Sequence, residues 1–236
     1  MKLIVLSGSI ALLTSAALFA AESNPKDDVT NAAKKLGEKA NYSWRTTVAV
    51  PEDAPFKPGP TEGKLEKDGY TTLTITFGDN ESKAVLKGDK GAATGQGGEW
   101  QSLAEMADSE GPGRFMALRL RNFKAPDAQA AQLASFAKEL KKDGDMYSSD
   151  LTEAGAKTML AFRPRNGEAP SVSNAKGSVK FWLKDGELVK YEFNVKGTVD
   201  FNGNNFDQDR TSTVVIKDVG STKVAVPEDA KKKLSS

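Results

Sequence analysis

The chain has 236 residues with no histidine and no cysteine, and its 33 basic residues nearly balance its 32 acidic residues. These counts exclude a Ser-His-Asp triad, a thiolate nucleophile and metal sites built from imidazole or thiolate, because each needs a missing residue type. The balanced charge also argues against a general nucleic-acid binder, which ordinarily carries a marked basic excess.

The N-terminus has the pattern of a secretory signal peptide over residues 1–20. Lys2 supplies the short basic region, an apolar stretch follows it, and small side chains stand at Ala20 and Ala21. We expect cleavage after Ala20, which leaves 21–236 as a single domain in the periplasm or outside the cell. The alternative is an uncleaved membrane anchor, but the stretch is barely long enough and no basic stop-transfer cluster follows it. No later apolar run approaches the length that spans a bilayer.

A helix followed by strands is predicted for the first third of the mature chain. Asn24 can cap the helix and Pro25 suits its first position. Apolar residues then repeat at helical spacing at Val29, Ala32, Ala33, Leu36 and Ala40. A period of two, or a short apolar run, predicts strands over 42–50, 70–77, 83–86 and 92–94. Four prolines in 51–60 predict a loop between the first two strands.

Three helices are predicted in the middle of the chain. The first covers 114–123 and places apolar side chains on one stripe. The second begins with a proline and covers 126–142, with two lysines in its last turn and Gly144 as a left-handed stop. The third begins after a Thr152 cap and ends at about Leu160.

The C-terminal third is predicted to be antiparallel sheet. Apolar side chains alternate inward at Val179, Phe181 and Leu183, and again at Val189, Tyr191, Phe193 and Val195. A two-residue turn between these stretches opposes Phe181 to a lysine and mixes the faces, whereas a three-residue turn at 184–186 opposes it to Val189. We therefore predict Gly186 in the left-handed region of a bulged hairpin. Two further strands, 197–201 and 210–219, and a polar loop, 202–209, follow.

The acidic segment 200–209 is the candidate calcium site, because it is dense in oxygen ligands. It lacks the glycine and the bidentate glutamate of an EF-hand loop, since Asn205 and Thr211 stand at those positions. A plain hairpin loop is the preferred interpretation, because Asn, Asp and Gly favour turns for backbone reasons. Carboxylates such as Glu105 and Asp108 could serve a glycosidase, but no pair stands out among 32 acidic residues, and a solvated face is the preferred interpretation. We predict no enzyme, no metal and no cofactor.

The arginines and aromatic residues each allow two interpretations. Arg114 and Arg121 are one heptad apart near the central helices, where guanidinium groups could meet an anionic head group. The alternative is an exposed helix face balanced by acids elsewhere. Large apolar side chains could line a ligand cavity or fill an ordinary core. The candidate ligand-binding residues are Phe115, Met116, Leu118, Phe136, Phe181, Tyr191 and Phe193.

The order of these elements is itself informative. A leading helix precedes antiparallel strands, then a block of amphipathic helices, then long strands, and 177–186 (GSVKFWLKDG) carries the pattern best. This order resembles the LolA/LppX-type superfamily of exported bacterial lipid carriers. The resemblance implies an α+β fold in which a curved antiparallel sheet, an incomplete barrel, has helices packed on its concave face. It also implies a gap between sheet and helices that holds acyl chains. The lipobox cysteine that anchors some members is absent here.

Two hypotheses for function follow from the residues and the resemblance. The first is an exported soluble protein that binds or carries a lipid or other apolar ligand in a sheet–helix cleft, where each buried methylene contributes ~0.8 kcal/mol. The alternative is a non-enzymatic interaction module of the cell envelope with a filled core. Phe115 and Leu118 discriminate between them, because residues that line a void favour the carrier and an exposed patch favours the module. A hydrolase would need two acidic side chains ~5–10 Å apart in a cleft.

Overall fold

One antiparallel sheet organises the protein. This computed structural model describes residues 24–54, 57–95, 97–109, 111–161, 170–201 and 203–235. The predicted signal peptide, 1–20, lies outside the described residues. The helices are α1 Pro25–Glu38, α2 Leu103–Asp108, α3 Pro112–Arg121, α4 Pro126–Phe136, α5 Glu153–Leu160 and α6 Glu228–Ser235. The strands are β1 Asn41–Ala49, β2 Thr61–Glu66, β3 Thr71–Phe77, β4 Asn80–Lys87, β5 Lys90–Thr94, β6 Trp100–Ser102, β7 Lys141–Asp143, β8 Met146–Asp150, β9 Ser171–Lys184, β10 Glu187–Phe201 and β11 Asn204–Lys217.

The sheet is curved and does not close into a barrel. Its strand order is β6-β5-β4-β3-β2-β1-β11-β10-β9-β8-β7, so β6 and β7 are the two edges. The strands come from both ends of the chain, because β1 pairs with β11 in antiparallel register, with Trp44 opposite Ile216. The α+β fold class predicted from the sequence, with a curved antiparallel sheet and helices on its concave face, is confirmed.

The inner face of the sheet shares one hydrophobic core with helices α1 to α5. Alternate residues of the strands enter this core, as the period of two predicts. The largest fully buried side chains include Tyr42, Phe181 and Tyr191. Trp44 lies over Gly63 of the neighbouring strand so closely that a Cβ atom there would stand 2.0 Å from the indole ring. The lack of a side chain at position 63 therefore lets the tryptophan lie flat against the sheet.

Helix α6 lies on the opposite, outer face of the sheet. Ala84 belongs to the main core, while its neighbour Val85 belongs to a small second cluster with Ala230 and Leu234 of α6. Successive residues of a strand point to opposite faces, so the two clusters are on different sides of β4. The sequence did not predict this helix, which is short and rich in lysine.

The N-terminal helix begins as the sequence predicts. The Asn24 side chain accepts a hydrogen bond of 3.0 Å from the Lys26 amide, and Pro25 occupies the first turn. α1 packs against α4, and a Cβ atom at Gly37 of α1 would stand 2.7 Å from the Asp127 carboxylate of α4. The lack of a side chain at position 37 lets the two helices approach closely.

The second central helix is shorter than predicted. α4 ends at Phe136, and the next residue, Ala137, forms a β-bridge with Leu151. The lysines expected in the last turn instead begin β7. Gly144 does adopt a left-handed conformation, with φ 58°, but in the turn between β7 and β8. Pairing with a later segment of the chain overrides the local helical pattern here.

The turn between β9 and β10 has two residues, and the predicted three-residue turn is wrong. Lys184 pairs directly with Glu187, and Asp185 and Gly186 have φ values of 52° and 74°. Two successive positive φ values are typical of the type I′ turn that suits a tight hairpin. The predicted left-handed conformation of Gly186 is confirmed.

A β-bulge in the strand, and not the turn, aligns the apolar faces of this hairpin. The register shifts between Leu188 and Lys190, so that Phe181 lies opposite Tyr191 instead of Val189. Val189 is the extra residue and is 38% exposed, whereas Leu188 is 2% exposed. The bulge therefore turns one predicted core residue outward and its neighbour inward.

The predicted polar loop at 202–209 is mostly strand, because β11 begins at Asn204. Its carboxylates form hydrogen bonds within the hairpin: Asp207 accepts from Thr198 at 2.8 Å and Asp209 from Asn194 at 2.9 Å. In the part of the chain that the structure describes, no three acidic side chains are grouped as metal ligands. The density of Asp and Asn thus reflects cross-strand bonding.

Candidate functional site

The interior has a sealed half formed by α1, α4 and α5 over strands β8 to β11 and the start of β1. Three tyrosine hydroxyls of the sheet donate hydrogen bonds to these helices. The bonds are Tyr42 to Asp127 at 2.6 Å, Tyr191 to Gln129 at 2.7 Å and Tyr147 to Asp28 at 2.9 Å. Between them the space is filled by Phe181, Phe193 and other core side chains.

The tyrosine bonds of the sealed half depend on protonated phenols. Burial raises the pKa of Tyr42 far above its ordinary value, and the carboxylate of Asp127 raises it further. Burial likewise raises the pKa of Tyr191, with a smaller contribution from Asp127. Both hydroxyls therefore remain donors across the physiological pH range, and they hold α4 against the sheet.

The interior is open where α3 lies over the other half of the sheet. Only Ala117 and Leu120 of α3 are buried, and the helix packs chiefly against α2. A cleft of about 650 Å³ remains between the C-terminal half of α3 and the ends of β3, β4 and β5. This volume is in the range of sites that enclose small organic ligands.

The floor of the cleft is apolar. Leu86, Leu103, Leu118, Leu120 and Phe123 contribute its aliphatic and aromatic surface. Phe123 is also stacked on Trp44, with ring centroids 6.1 Å apart, so the floor is continuous with the core. The floor is therefore formed by side chains that also pack on the core.

The rim of the cleft is basic. Lys87 and Lys90 stand at the β4–β5 turn with Asp89 between them, and Arg121 stands on α3. The Arg121 guanidinium donates to the Leu103 carbonyl at 3.1 Å, which fixes it beside the opening. Lys87 lies 4.7 Å from the centre of the Tyr70 ring. Three cations and one carboxylate give the opening a net positive charge.

The residues predicted for the site fall into three environments. Leu118 and Arg121 line the cleft. Phe115 is 66% exposed and Arg114 is also exposed, both on the outer side of α3. The remaining five lie in or against the core of the protein: Met116, Phe136, Phe181, Tyr191 and Phe193.

The sequence did not indicate the other cleft residues. Leu86 and Leu103 pack over Gly91, where a Cβ atom would stand 2.6 Å from each of them. Lys87 and Lys90 flank a tight turn in which Gly88 has a φ of 60°. Gly88 is the one residue in the sequence that could have indicated the position of this turn. No local pattern indicates that α3, from a distant part of the chain, lies beside it.

A second cleft of about 470 Å³ lies at the far edge of the sheet and is polar. Asp28, Lys35, Lys142 and Asp145 are among its lining residues. Its lining has three carboxylates and two lysines, and Lys142 lies 3.8 Å from the Asp28 carboxylate. The Tyr147 hydroxyl beside it raises the pKa of Lys142, and the Asp28 and Asp145 carboxylates raise it further. This cleft lacks the apolar floor of the first.

Comparisons with known proteins give structural matches and no sequence match. No family model matches the chain, and no curated protein sequence matches it. Within the described residues, no helix is both long and apolar enough to cross a membrane. The lipoprotein LppX of Mycobacterium tuberculosis is similar in structure, with a TM-score of 0.47 and 10% identity over 86% of this chain and 98% of that one. LprF from Mycobacterium bovis is similar with a TM-score of 0.45 and 11% identity, over 87% of this chain and 97% of that one.

Proposed function

We propose that this protein binds a lipid or another amphiphilic molecule in the cleft beneath α3, and that it does so as an exported, soluble carrier. The observation that supports binding is the open cleft itself, which joins an apolar floor to a basic rim. The observation that supports export is the signal pattern of residues 1–20. Periplasm or extracellular space is the proposed location.

Desolvation supplies the affinity in this proposal. Each methylene that leaves water for the floor at Leu86, Leu118 and Phe123 contributes ~0.8 kcal/mol. A tail of ten such groups would therefore gain several kcal/mol even after the entropic cost of immobilising it. Because the side chains of the floor already pack on the core, binding would require little rearrangement of the protein.

The rim selects the head of the ligand. Lys87, Lys90 and Arg121 would favour an anionic head group at the mouth of the cleft over a neutral or cationic one. Because these side chains are exposed, salt screens the attraction, and its effect is small beside that of the tail. We propose binding without chemistry on the ligand, so the protein is not an enzyme.

A second candidate function has its own observation, the exposed Phe115. An aromatic side chain that is 66% exposed on α3 could contact another protein of the cell envelope. It stands next to the exposed Arg114 on the same helix. A single aromatic residue is a small surface, whereas the cleft is a formed cavity, so the carrier is the better-supported function.

Native mass spectrometry with lipid extraction is the first test of the carrier proposal. Protein purified gently from a bacterial periplasm should carry a stoichiometric lipid, and its intact mass should match cleavage after Ala20. A fluorescent fatty acid should bind, and L118D should weaken that binding at least tenfold, because a carboxylate would stand in the apolar floor.

Phe115 offers a matched control on the same helix. F115D introduces the same charge outside the cleft and should leave fatty-acid binding unchanged. A clean apo mass with no fatty-acid binding would overturn the carrier proposal. Equal losses in L118D and F115D would overturn the assignment of the site to this cleft.

A further inference from the structure

The outward side of α3 combines an exposed aromatic ring with a concentration of positive charge. Among the described residues, Phe115 is the most exposed of the large apolar side chains. The sequence around it has no acidic residue from 111 to 126. Four exposed cations stand in the same segment: Arg114, Arg119, Arg121 and Lys124. An exposed aromatic side chain among basic residues is typical of helices that lie on a membrane surface.

These four cations form no ion pair with a carboxylate in the described part of the chain. Every ion pair found there involves other residues. Arg119 and Arg121 donate instead to neutral oxygens, the Thr61 hydroxyl at 3.3 Å and the Leu103 carbonyl at 3.1 Å. The ordinary explanation of a basic helix face is that nearby acids balance it, and the described residues provide no such pairing. The segment therefore has positive charge available for a partner.

The exposed side of α3 adjoins the mouth of the cleft. Phe115 lies three residues before Leu118, which lines the cleft, and positions three apart are neighbours on a helix surface. Lys124 stands between Phe123 and Ala125, which both line the cleft as well. The aromatic ring and the cations of α3 are thus continuous with the basic rim. We call this surface the docking face, and it consists of Arg114, Phe115, Arg121, Lys124, Lys87 and Lys90.

We propose that the docking face binds the surface of an anionic membrane, with Phe115 inserted among the lipid head groups and the mouth of the cleft held against the bilayer. The negative phosphates complement the exposed cations, and the aromatic ring suits the boundary between head groups and acyl chains. α3 has ten residues and is ~15 Å long, so the contact is small and reversible. The proposal rests on the proposed carrier function, because docking there lets an insoluble ligand pass between membrane and cleft without entering water.

The docking face suits a membrane better than a folded protein partner. Within α3, which the structure describes in full, Phe115 is the single large apolar side chain that is exposed. A specific protein interface needs an apolar centre built from several side chains and surrounded by a polar rim. A membrane needs no matching shape, because mobile lipids arrange themselves around flexible cations and an inserted ring. Unpaired charge around one aromatic residue therefore favours a lipid surface.

Sedimentation with lipid vesicles tests the proposal. The purified protein should bind vesicles of phosphatidylcholine that contain phosphatidylglycerol, and it should not bind vesicles of phosphatidylcholine alone. Added salt should weaken the binding, because it screens exposed charges. R114Q/K124Q should weaken the binding about 20-fold, since each cation at an anionic surface contributes about fivefold. F115D should weaken it at least about tenfold, because a carboxylate replaces the inserted ring.

Matched controls are available away from the docking face. Lys176 and Lys196 are exposed and lie opposite each other on β9 and β10, so K176Q/K196Q removes the same charge elsewhere. Phe206 on β11 is 50% exposed, and F206D introduces the same carboxylate as F115D. Both control variants should bind the anionic vesicles as wild type does. The substituted side chains are all exposed, so each variant should unfold at the temperature of wild type.

A unique thiol reports the insertion of position 115 directly. The chain has no cysteine, so F115C and F206C each provide a single site for an environment-sensitive fluorophore. With phosphatidylglycerol vesicles, the emission of the F115C conjugate should shift to shorter wavelength, because its probe leaves water. The F206C conjugate should show no shift. The same response in both conjugates would overturn the proposed orientation.

The outcomes separate docking from ligand binding. F115D and R114Q/K124Q should bind a fluorescent fatty acid from solution as wild type does, but should accept it from phosphatidylglycerol vesicles more slowly. Wild-type protein that does not bind these vesicles, or control variants that lose binding equally, would overturn docking. Variants of the docking face that bind vesicles as wild type does would also overturn it and favour a protein partner for Phe115. Vesicle binding by a protein that binds no fatty acid would support docking and overturn the carrier function.

Discussion

The sealed half and the open half of the interior use the same sheet and differ in the helices that cover it. Over β8 to β11, α1 packs against α4, and α1 and α5 contact the strands directly. Over β2 to β5, α3 presents arginines and larger apolar groups and packs chiefly against α2. Only Ala117 and Leu120 of α3 are buried, so the rest of this helix packs less closely and the cleft lies beside it. How closely the covering helix packs thus decides whether the sheet holds a core or a cleft.

The two halves also differ in how polar bonds are used. In the sealed half, hydroxyls of core tyrosines reach helix carboxylates and an amide. In the open half, Arg119 and Arg121 from α3 donate to neutral oxygens of β2 and α2. The polar groups of the sealed half therefore bond to one another, whereas these cations of the open half bond to neutral oxygens.

The largest expected contrast comes from the same substitution in both halves. L133A removes a fully buried side chain of α4 and should cost about 2–5 kcal/mol of unfolding free energy, because it leaves a cavity in a filled core. L118A should cost less than about 1 kcal/mol, because this side chain already borders the cleft. Urea denaturation of both variants measures the difference. Equal losses would show that the open half is as tightly packed as the sealed half.

A smaller effect is expected from the tyrosines that fasten α4. Y42F removes the hydrogen bond to Asp127 and should cost about 1.5–3 kcal/mol, because the acceptor is charged. Y191F removes a bond to a neutral amide and should cost about 1 kcal/mol. Urea unfolding at pH 7 gives both values, and a larger loss in Y191F would contradict this order.

The raised pKa of Tyr42 also predicts a dependence on alkaline pH. A folded-state pKa above the unfolded value of about 10 means that its contribution is complete below pH 10 and declines as the pH rises. Wild type should therefore lose stability above pH 10, and Y42F should lose less over the same interval. If the unfolding free energies of wild type and Y42F fell equally above pH 10, the loss of stability could not be attributed to Tyr42.

Local patterns were sufficient to predict much of the fold and little of the site. The caps at Asn24 and Thr152 and the alternation in β1, β3 and β9 are properties of neighbouring residues, and the structure has each of them. The cleft is formed by α3, the β4–β5 turn and Leu103, which meet only through the folded chain. A periodic pattern reveals that Leu118 is apolar, but the gap beside it depends on how far α3 stands from the sheet.

The predictions that were wrong share one physical cause. The end of α4 is set by the bridge between Ala137 and Leu151, and the β10 register is set by a bulge at Val189. Both are long-range pairings that override a favourable local pattern. Strands β6 and β7, of three residues each, are too short to show any periodicity.

The smallest expected effect concerns the edge of the open half, where α2 is held by exposed charges. Glu105 bonds to the Ser102 amide in a capping box and to Lys233 of α6 at 2.6 Å. The Lys233 ammonium, followed by the Ser102 hydrogen bonds, lowers the pKa of Glu105 from 4.5 to about 2. The contribution of this lowered pKa to stability is thus present above the unfolded value of 4.5 and is lost as the pH falls toward 2.

E105Q should therefore lower the unfolding temperature by a few degrees at pH 7 and should have no measurable effect on it at pH 2. D108N, on the same helix, is the matched control and should show no such pH-dependent difference. High salt should shrink the effect of E105Q, because exposed ion pairs are screened. If the two variants behaved alike at every pH, the bond between α2 and α6 would not stabilise the open half, and α3 would depend on α2 and the sheet alone for its position over the cleft.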